Sequence, residues 1–253
     1  MYFEHGEKRI LFDTGASDKF IYNATLLGID LHKVDTCIIS HPHNDHTGGL
    51  KSFLEINRNA RVVIKSAAQG DFYTKRRHKM IRTGLEPGFF DKYAERMHFF
   101  DGFFEVEQGL FAAGIHKYRR QPQYTALMFE KRGESFVQDE LEHELFVAIS
   151  TQEGTVVLTG CAHHGVQNVL LTAEERFGRI IGVAGGFHLG GTIQGKRVVK
   201  KEPESEIHAI ARFLEDRKIK KVYTGHCTGE SAVEKLSVLA RGQRMRIGDT
   251  LEF

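Results

Sequence analysis

Cysteine is scarce in this sequence. The three present, Cys37, Cys161 and Cys227, are an odd number at wide spacings. That pattern argues against a disulfide framework and for a reducing cytoplasm. Long hydrophobic runs are also lacking. No stretch of about 18 apolar residues occurs, so no transmembrane helix is expected. The opening MYFEHGEKRI has no apolar core of the kind a signal peptide needs. Charge of one sign is missing too. Lys and Arg number 35 against 33 Asp and Glu, a net +2, so no whole-molecule field favours nucleic acid or a membrane surface. No linker or low-complexity segment interrupts the chain. What is present is a globular interior's share of apolar residues, 41%. The 253 residues suit one large domain or two small halves sharing a core. Histidine is frequent, 14 in all, and many of these lie in short Gly-rich contexts.

Apolar periodicity assigns the elements. KRILFDTG (Lys8–Gly15) reads as a strand ending in a turn with Asp13 at its tip, and VDTCIIS (Val34–Ser40) as a buried strand. Leu50, Phe53 and Leu54 recur at i, i+3, i+4 and predict a helix opening after Gly48–Gly49. ARVVIKS (Ala60–Ser66), GRIIGVAGG (Gly178–Gly186) and KKVYTGH (Lys220–His226) predict further strands. HELFVAIS and GTVVLTG flank Thr151–Gly154 and predict a hairpin. EPESEIHAIARFLEDRKI predicts a helix with Pro203 in its first turn, acids at its start and bases at its end. Its apolar stripe is Ile207, Ile210, Ala211 and Leu214. ESAVEKLSVLARG predicts another, with Val233, Leu236 and Ala240 inward and Gly242 as the stop. These similar strand-then-helix halves predict a sandwich of two sheets with helices outside. Residues from about 67 to 118 are less regular and read as an inserted, partly helical region covering one face. Its basic run YTKRRHKMIR (Tyr73–Arg82) is either a solvated face or an anion-attracting lid, since Lys and Arg pair readily with phosphate or carboxylate.

The chemistry concentrates in SHPHNDHTGGL (Ser40–Leu50). Two histidines at i and i+2 straight after a strand, His41 and His43, can both reach one ion from a turn. Asp45 and His46 are adjacent and can point at a neighbouring ion. Imidazole suits zinc, iron, nickel and manganese, and a carboxylate adds a hard, negative ligand. The bland alternative is a polar turn near Pro42, which chance rarely fills with three histidines and an aspartate. Other chemical residues share one context, the end of a predicted strand beside glycine: Asp13 in FDTG, Cys161 and His163 in TGCAHHG, His188 in GGFHLGG and His226 in TGHCTG. Glycine turns allow close backbone approach, so several such loops can converge on one point. GGTIQGKR (Gly190–Arg197) nearly fits a phosphate loop. Arg197 stands where Ser or Thr would hold magnesium, and the following residues do not read as the required helix, so that match is rejected.

At these residues the sequence resembles the metallo-β-lactamase-fold superfamily, with HPHNDH matching its H-x-H-x-D-H signature in full. It looks closest to the branch containing dihydropterin–ribofuranosylaminobenzene phosphate synthases. ILFDTG, NATLLGIDLHKVD, SHPHNDHTGGL, HELFVAI, TGCAHHGVQN, GGFHLGG and YTGHCTG carry that likeness, from Ile10 to Gly229. The resemblance implies an α/β (α+β) fold, a four-layer αββα sandwich in a single domain over residues 1–253. Relatives carry a strand and a His-Gly segment before ILFDTG, and only nine residues precede Ile10 here, so the first strand is expected to be missing or shortened. It implies one or two divalent metal ions as cofactor, zinc first, with iron or manganese as alternatives. His41 and His43 would bind the first ion, Asp45 and His46 the second, and His226 matches the last metal-binding histidine. Asp13 would support the site from behind its ligands. In the usual aspartate's place stands LTGCAHHG, which offers His163 or the softer Cys161. His143, before the hairpin, or His116 could supply the other expected histidine. His188 is a substrate or metal contact. His5, His32, His78, His98 and His208 are expected at the surface.

The implied activity is hydrolysis of an ester, lactone or phosphoester. A divalent ion lowers the pKa of water from 15.7 toward about 7, and Asp45 would both ligate and orient the nucleophile. The substrate is expected to be a small anionic molecule drawn by Lys75 and Arg76. No nucleic acid or membrane partner is expected. A transferase joining a pterin diphosphate to a phosphorylated aminobenzene riboside is the second reading, and a non-catalytic metal-binding module the third. A di-iron redox role is disfavoured, because that branch replaces the second histidine of the signature with an acid and His43 is intact.

Overall fold

The computed structural model describes residues 1–119, 122–190, 192–194, 197–199 and 204–253. They fall into two compact units: Met1–Val106 with Met128–Leu145 (unit 1), and Glu107–Leu127 with Phe146–Phe253 (unit 2). Pro203 lies outside the described residues, as do Gly191, Gly195 and Lys196 of the rejected phosphate loop.

Unit 1 opens on an antiparallel hairpin, β1 (Tyr2–His5) and β2 (Lys8–Phe12). It turns at Gly6, whose φ of 59° suits a residue without a Cβ. A short strand of four residues therefore precedes β2 and ends at His5, next to Gly6. The chain continues through α1 (Lys19–Leu26), β3 (Thr36–Ile38), α2 (Asn44–Thr47), α3 (Leu50–Ile56), β4 (Arg61–Lys65), β5 (Phe72–Arg76) and β6 (Lys79–Arg82). Then come α4 (Phe89–Lys92), β7 (Met97–Phe100) and β8 (Phe103–Glu107). It leaves for β9 (Leu110–Gly114) of unit 2 and returns for the hairpin β10 (Met128–Arg132) and β11 (Ser135–Gln138). Two sheets result within unit 1. One runs β1-β2-β3-β4-β7, parallel from β2 onward. The other runs β11-β10-β5-β6, antiparallel throughout. Parallel strands require crossovers, and the HPHNDH loop, α2 and α3 form the one between β3 and β4. Leu50, Phe53 and Leu54 of α3 are buried as their spacing predicts, against Leu11, Cys37, Ile39, Val62 and Ile64.

The stretch 67–118 contains far more strand than its irregular pattern suggests. Its only α-helix is the four-residue α4, and Phe89, Phe90, Tyr93 and Phe99 pack against the core of unit 1. Aromatic density there marks apolar packing surface, which spacing alone does not distinguish from an exposed cover.

Unit 2 continues with β12 (Leu145–Ser150), β13 (Thr155–Thr159), α5 (Val166–Phe177), β14 (Ile180–Gly185), β15 (Thr192–Gln194), β16 (Arg197–Val199), α6 (Glu204–Asp216), β17 (Lys221–Thr224), α7 (Glu230–Ala240) and β18 (Gln243–Arg244). Its main strands lie in the order β18-β17-β14-β13-β12-β9. β12 and β13 form the predicted antiparallel hairpin, while β13, β14, β17 and β18 are mutually parallel. β15 and β16 pair as a separate antiparallel ribbon, so Arg197–Val199 is strand. The stripe of α6 is buried as predicted, with Phe213 added, and so are Val233, Leu236 and Ala240 of α7. The left-handed residue that ends α7 is Arg241, φ 53°, one position before Gly242. Gly242 instead packs close to Leu236, whose carbonyl accepts its N–H at 3.0 Å. α5 is a helix beyond those assigned above. Its buried Val166, Val169, Leu170 and Ala173 hold the i, i+3, i+4, i+7 spacing, but they begin directly after the histidine loop. Among the described residues no helix is long and apolar enough to cross a membrane.

Candidate metal centre

The HPHNDH loop leaves β3 at its carboxyl end, within unit 1. His43 is extended, at φ −63° and ψ 144°, and the chain then turns into α2. The His43 carbonyl accepts the N–H groups of His46 and Thr47 at 2.9 and 3.0 Å, closing that turn. Gly48 and Gly49 hold it against the loop after β2. A Cβ on Gly48 would stand 2.2 Å from the Ala16 carbonyl oxygen, and one on Gly49 would stand 2.5 Å from the Phe20 ring and the Thr14 oxygen. The "GG" after the motif is thus a close-approach device. His41, His43 and His46 are buried, while the Asp45 side chain is 44% exposed. Donor atoms of His41, His43 and Asp45 lie within 4.8 Å of one another.

A hydrogen-bond network orients these rings. Asp13, at φ 61° in the turn after β2, accepts the Ser40 N–H on Oδ1 at 2.7 Å and the Ser40 hydroxyl on Oδ2 at 2.8 Å. The same Oδ2 lies 2.6 Å from His46 Nδ1. A carboxylate only accepts, so His46 Nδ1 carries the proton and Nε2 keeps its lone pair. Ser40 has given its one proton to Asp13. At 2.9 Å from His41 Nδ1 it can only accept, which leaves His41 Nε2 as a lone pair too. Asp13 therefore supports two imidazoles, one directly and one through Ser40, as outer carboxylates do in metal centres. The role of Ser40 was not read from sequence, although it opens the motif.

His143 joins the same half. Its ring centroid stands 5.4 Å from that of His43 and 6.2 Å from that of His41. Its Nε2 lies 2.9 Å from Asp139 Oδ2, and Asp139 Oδ1 accepts the Leu141 N–H at 2.7 Å. His143 Nδ1 is buried with no hydrogen-bond partner, an orphaned lone pair of the kind a cation satisfies. Asp139 was missed in the sequence; the D-x-x-x-H spacing in DELEH was its available signal. Burial, then the neighbouring His143, pushes His43 down to about 3, so it stays a neutral donor. Burial raises the Asp139 carboxyl, but the His143 hydrogen bond and charge, the Leu141 N–H and His43 together outweigh it and hold the pKa below the usual range.

The remaining strand-end loops belong to unit 2. Cys161, His163 and His164 are buried after β13, and the His163 and His188 rings stand 4.8 Å apart. Asn168 of α5 donates to the His164 carbonyl at 2.7 Å, fixing that loop. His226 is exposed at φ 51° after β17. Burial raises the Cys227 thiol, but the Cys161 hydrogen bond and the His188 and His226 rings overcome it, so its pKa lies well below the usual value. None of the three cysteines is in a disulfide.

Lys75 and Arg76 are exposed on β5 of unit 1. That hairpin's base is tied to the site: the Phe72 ring stands 4.3 Å from His143, and the Asn44 N–H donates to the Thr83 carbonyl at 2.7 Å. His116 is exposed, held through its N–H to Thr172 of α5. His32, His78 and His208 are exposed as expected, but His5 and His98 are half-buried. His98 stacks on Phe104 with centroids 4.1 Å apart.

A model described as the metallo-beta-lactamase superfamily matches residues 1–226. The crystal structure of Tm1679, a metal-dependent hydrolase of the beta-lactamase superfamily, is 30% identical with a TM-score of 0.77, covering 96% of this chain and 90% of that one. A 7,8-dihydropterin-6-methyl-4-(beta-D-ribofuranosyl)-aminobenzene-5'-phosphate synthase of Methanocaldococcus jannaschii is 28% identical over 89% of this chain and 77% of its own length. An uncharacterized protein of the same organism is 26% identical over 93% of this chain and 85% of its own length.

Proposed function

Because the chain belongs to the metallo-beta-lactamase superfamily, we propose that it is a metal-dependent hydrolase of a small anionic ester, lactone or phosphoester. The observation that carries this reading is the Asp13–Ser40 network, which leaves the Nε2 atoms of His41 and His46 as lone pairs beside His43 and Asp45. The donor set fits a divalent cation. It combines neutral imidazoles, one carboxylate and the buried, unpartnered Nδ1 of His143. Within unit 1, His41 and His43 would hold one such ion and Asp45 and His46 a second, with His143 beside His43. Zinc is the first choice for nitrogen-rich sets, with iron or manganese as alternatives. Such an ion supplies Lewis acidity and a water pKa near 7 at neutral pH.

The chain's own residues do the rest. Asp13 and Ser40 fix the tautomers of His46 and His41. Asp139 fixes His143, and low basicity keeps His43 neutral. Asp45, the most exposed acid of the set, would orient a nucleophile and accept its proton. Lys75 and Arg76 would draw an anionic substrate. Purification without chelator, metal analysis and a screen of phosphodiesters and lactones test the proposal. It expects metal to co-purify and turnover to fall at least about a hundredfold in Asp45→Asn. A folded protein that takes up no metal would sink it.

The relative named as a pterin–aminobenzene riboside phosphate synthase favours a second reading, a transferase on a pterin diphosphate. Pyrophosphate release with a pterin diphosphate and a phosphorylated aminobenzene riboside would establish it. Hydrolysis without any response to pterin would exclude it.

A further inference from the structure

The antiparallel sheet β11-β10-β5-β6 of unit 1 has two faces of different character. Successive side chains on a strand point to opposite faces, and residues paired across strands share one. Phe72, Thr74 and Arg76 of β5 therefore share a face with their register partners, Ile81 and Lys79 on β6 and Met128 on β10. Phe72 presents that face to the metal centre, its ring 4.3 Å from that of His143. Tyr73 and Lys75 lie on the other face, opposite Arg82 and Met80 of β6. That face is taken up by its own packing. The Tyr73 and Phe136 rings stand 5.0 Å apart, and Arg82 lies over the Tyr73 ring at 5.6 Å and pairs with Asp71 at 2.8 Å.

The face that begins at Phe72 is open. Ile81 is 40% exposed, and Thr74, its partner on β5, stands between it and half-buried Met128. Arg76 and Lys79 are directly opposite each other at the tip of the hairpin, and like charges so placed are destabilising. Among the described residues neither cation has an ion-pair partner. The acid of this face, Glu130, is already held by Arg132 at 2.6 Å. From Phe72 to Arg76 the strand advances four residues, about 13 Å. Outward from His143 the order is thus an aromatic ring, an apolar patch and two cations without a counter-ion.

We propose that this face holds the distal part of the substrate. An apolar segment lies across Ile81, Thr74 and Met128, and a carboxylate or phosphate at its far end bridges Arg76 and Lys79. The molecule recognised is an elongated amphiphilic anion, its charged end about 13 Å along the strand from Phe72. The Arg76 guanidinium offers a planar fork that suits either anion, and an anion between the two cations removes their repulsion. Lys75, its neighbour in sequence, is on the opposite face and contributes only to the long-range field. Continuity with His143 through Phe72 favours a small molecule over a membrane surface. Calling the ligand a substrate rests on the hydrolase reading; the binding itself does not.

Binding of dansylaminoundecanoate to the full chain, read by fluorescence anisotropy, tests this, with decyl phosphate, decanoate and decanol as competitors. The wild type should bind the probe and release it to decyl phosphate or decanoate at concentrations about tenfold below those at which decanol acts. Whichever of the two acts at the lower concentration identifies the charged end. Arg76→Gln should weaken binding about tenfold, the worth of a bond to a charged group. Lys79→Gln and Ile81→Ser should each weaken it about threefold, and Lys75→Gln should stay within about twofold at physiological salt. These side chains are exposed, so the variants should fold. Equal losses in Lys75→Gln and Arg76→Gln would overturn the proposal. So would decanol competing as well as the anions, or a wild type that does not bind the probe. Pelleting with phosphatidylserine vesicles that Arg76→Gln abolishes would assign the face to a membrane and overturn it too. The expected binding pattern in a protein that hydrolyses no ester, lactone or phosphoester would keep this face as a ligand site and refute only the hydrolase reading.

Discussion

Asp13 is the most informative residue to perturb, because one carboxylate serves three donors. Its Oδ1 takes the Ser40 N–H, and its Oδ2 takes the Ser40 hydroxyl and His46 Nδ1. Asp13→Asn keeps the shape and suits the backbone, since Asn tolerates the left-handed φ of 61° found here. The amide has one acceptor oxygen for three donors. If its oxygen keeps the Ser40 N–H, its NH2 group faces Ser40 Oγ and His46 Nδ1. His46 can then only accept at Nδ1, its proton moves to Nε2, and the lone pair is lost as a ligand. If the amide flips, its NH2 group meets the Ser40 N–H, two donors face to face. Either outcome removes at least one bond to a charged acceptor, about 1.5–3 kcal/mol in stability. Losing the support behind two ligands should weaken metal affinity about 10–100-fold. Competition against a chromophoric chelator reads the affinity, and urea unfolding reads the stability. A variant that binds metal within about twofold of wild type, where a loss of 10–100-fold is expected, would refute the tautomer argument even if it unfolded more easily.

Three further outcomes follow from the same geometry. His43 titrates near 3 in the folded protein against an ordinary 6.5, so below pH 6.5 the unfolded chain binds a proton that the folded chain refuses. The metal-free protein should therefore lose stability as pH falls from 6.5 toward 3, on the order of 5 kcal/mol from this group by the low end; urea midpoints should show a shallower slope in His43→Gln, and an identical slope would contradict it. Gly49→Ala would force a Cβ to 2.5 Å from Phe20 and the Thr14 oxygen, so about 1–3 kcal/mol of overpacking is expected, and an unchanged urea midpoint would show that the loop is not held so closely. If Lys75 and Arg76 attract an anionic substrate, the double change to Gln should raise KM with little effect on kcat, and the difference should shrink as salt screens the charges; a difference indifferent to salt would assign them no such role.

The sequence by itself determined the elements with strong periodicity and the donor cluster. An i, i+2 histidine pair after a β-branched run is local, and so is the stripe of α6, because neighbours along the chain set both. Short β1 and the helix α5 were not read from the sequence: four residues give little periodicity, and the apolar spacing of α5 begins directly after the histidine loop. Tertiary structure alone decided which partners orient the rings. Asp13 reaches Ser40 across 27 positions and His46 across 33. Cys227 lies 66 positions from Cys161, yet the register of β13, β14 and β17 brings their sulfurs together. A hydrogen bond or a metal donor set needs only proximity and direction. Strand register supplies these across the chain and leaves no periodic trace in it.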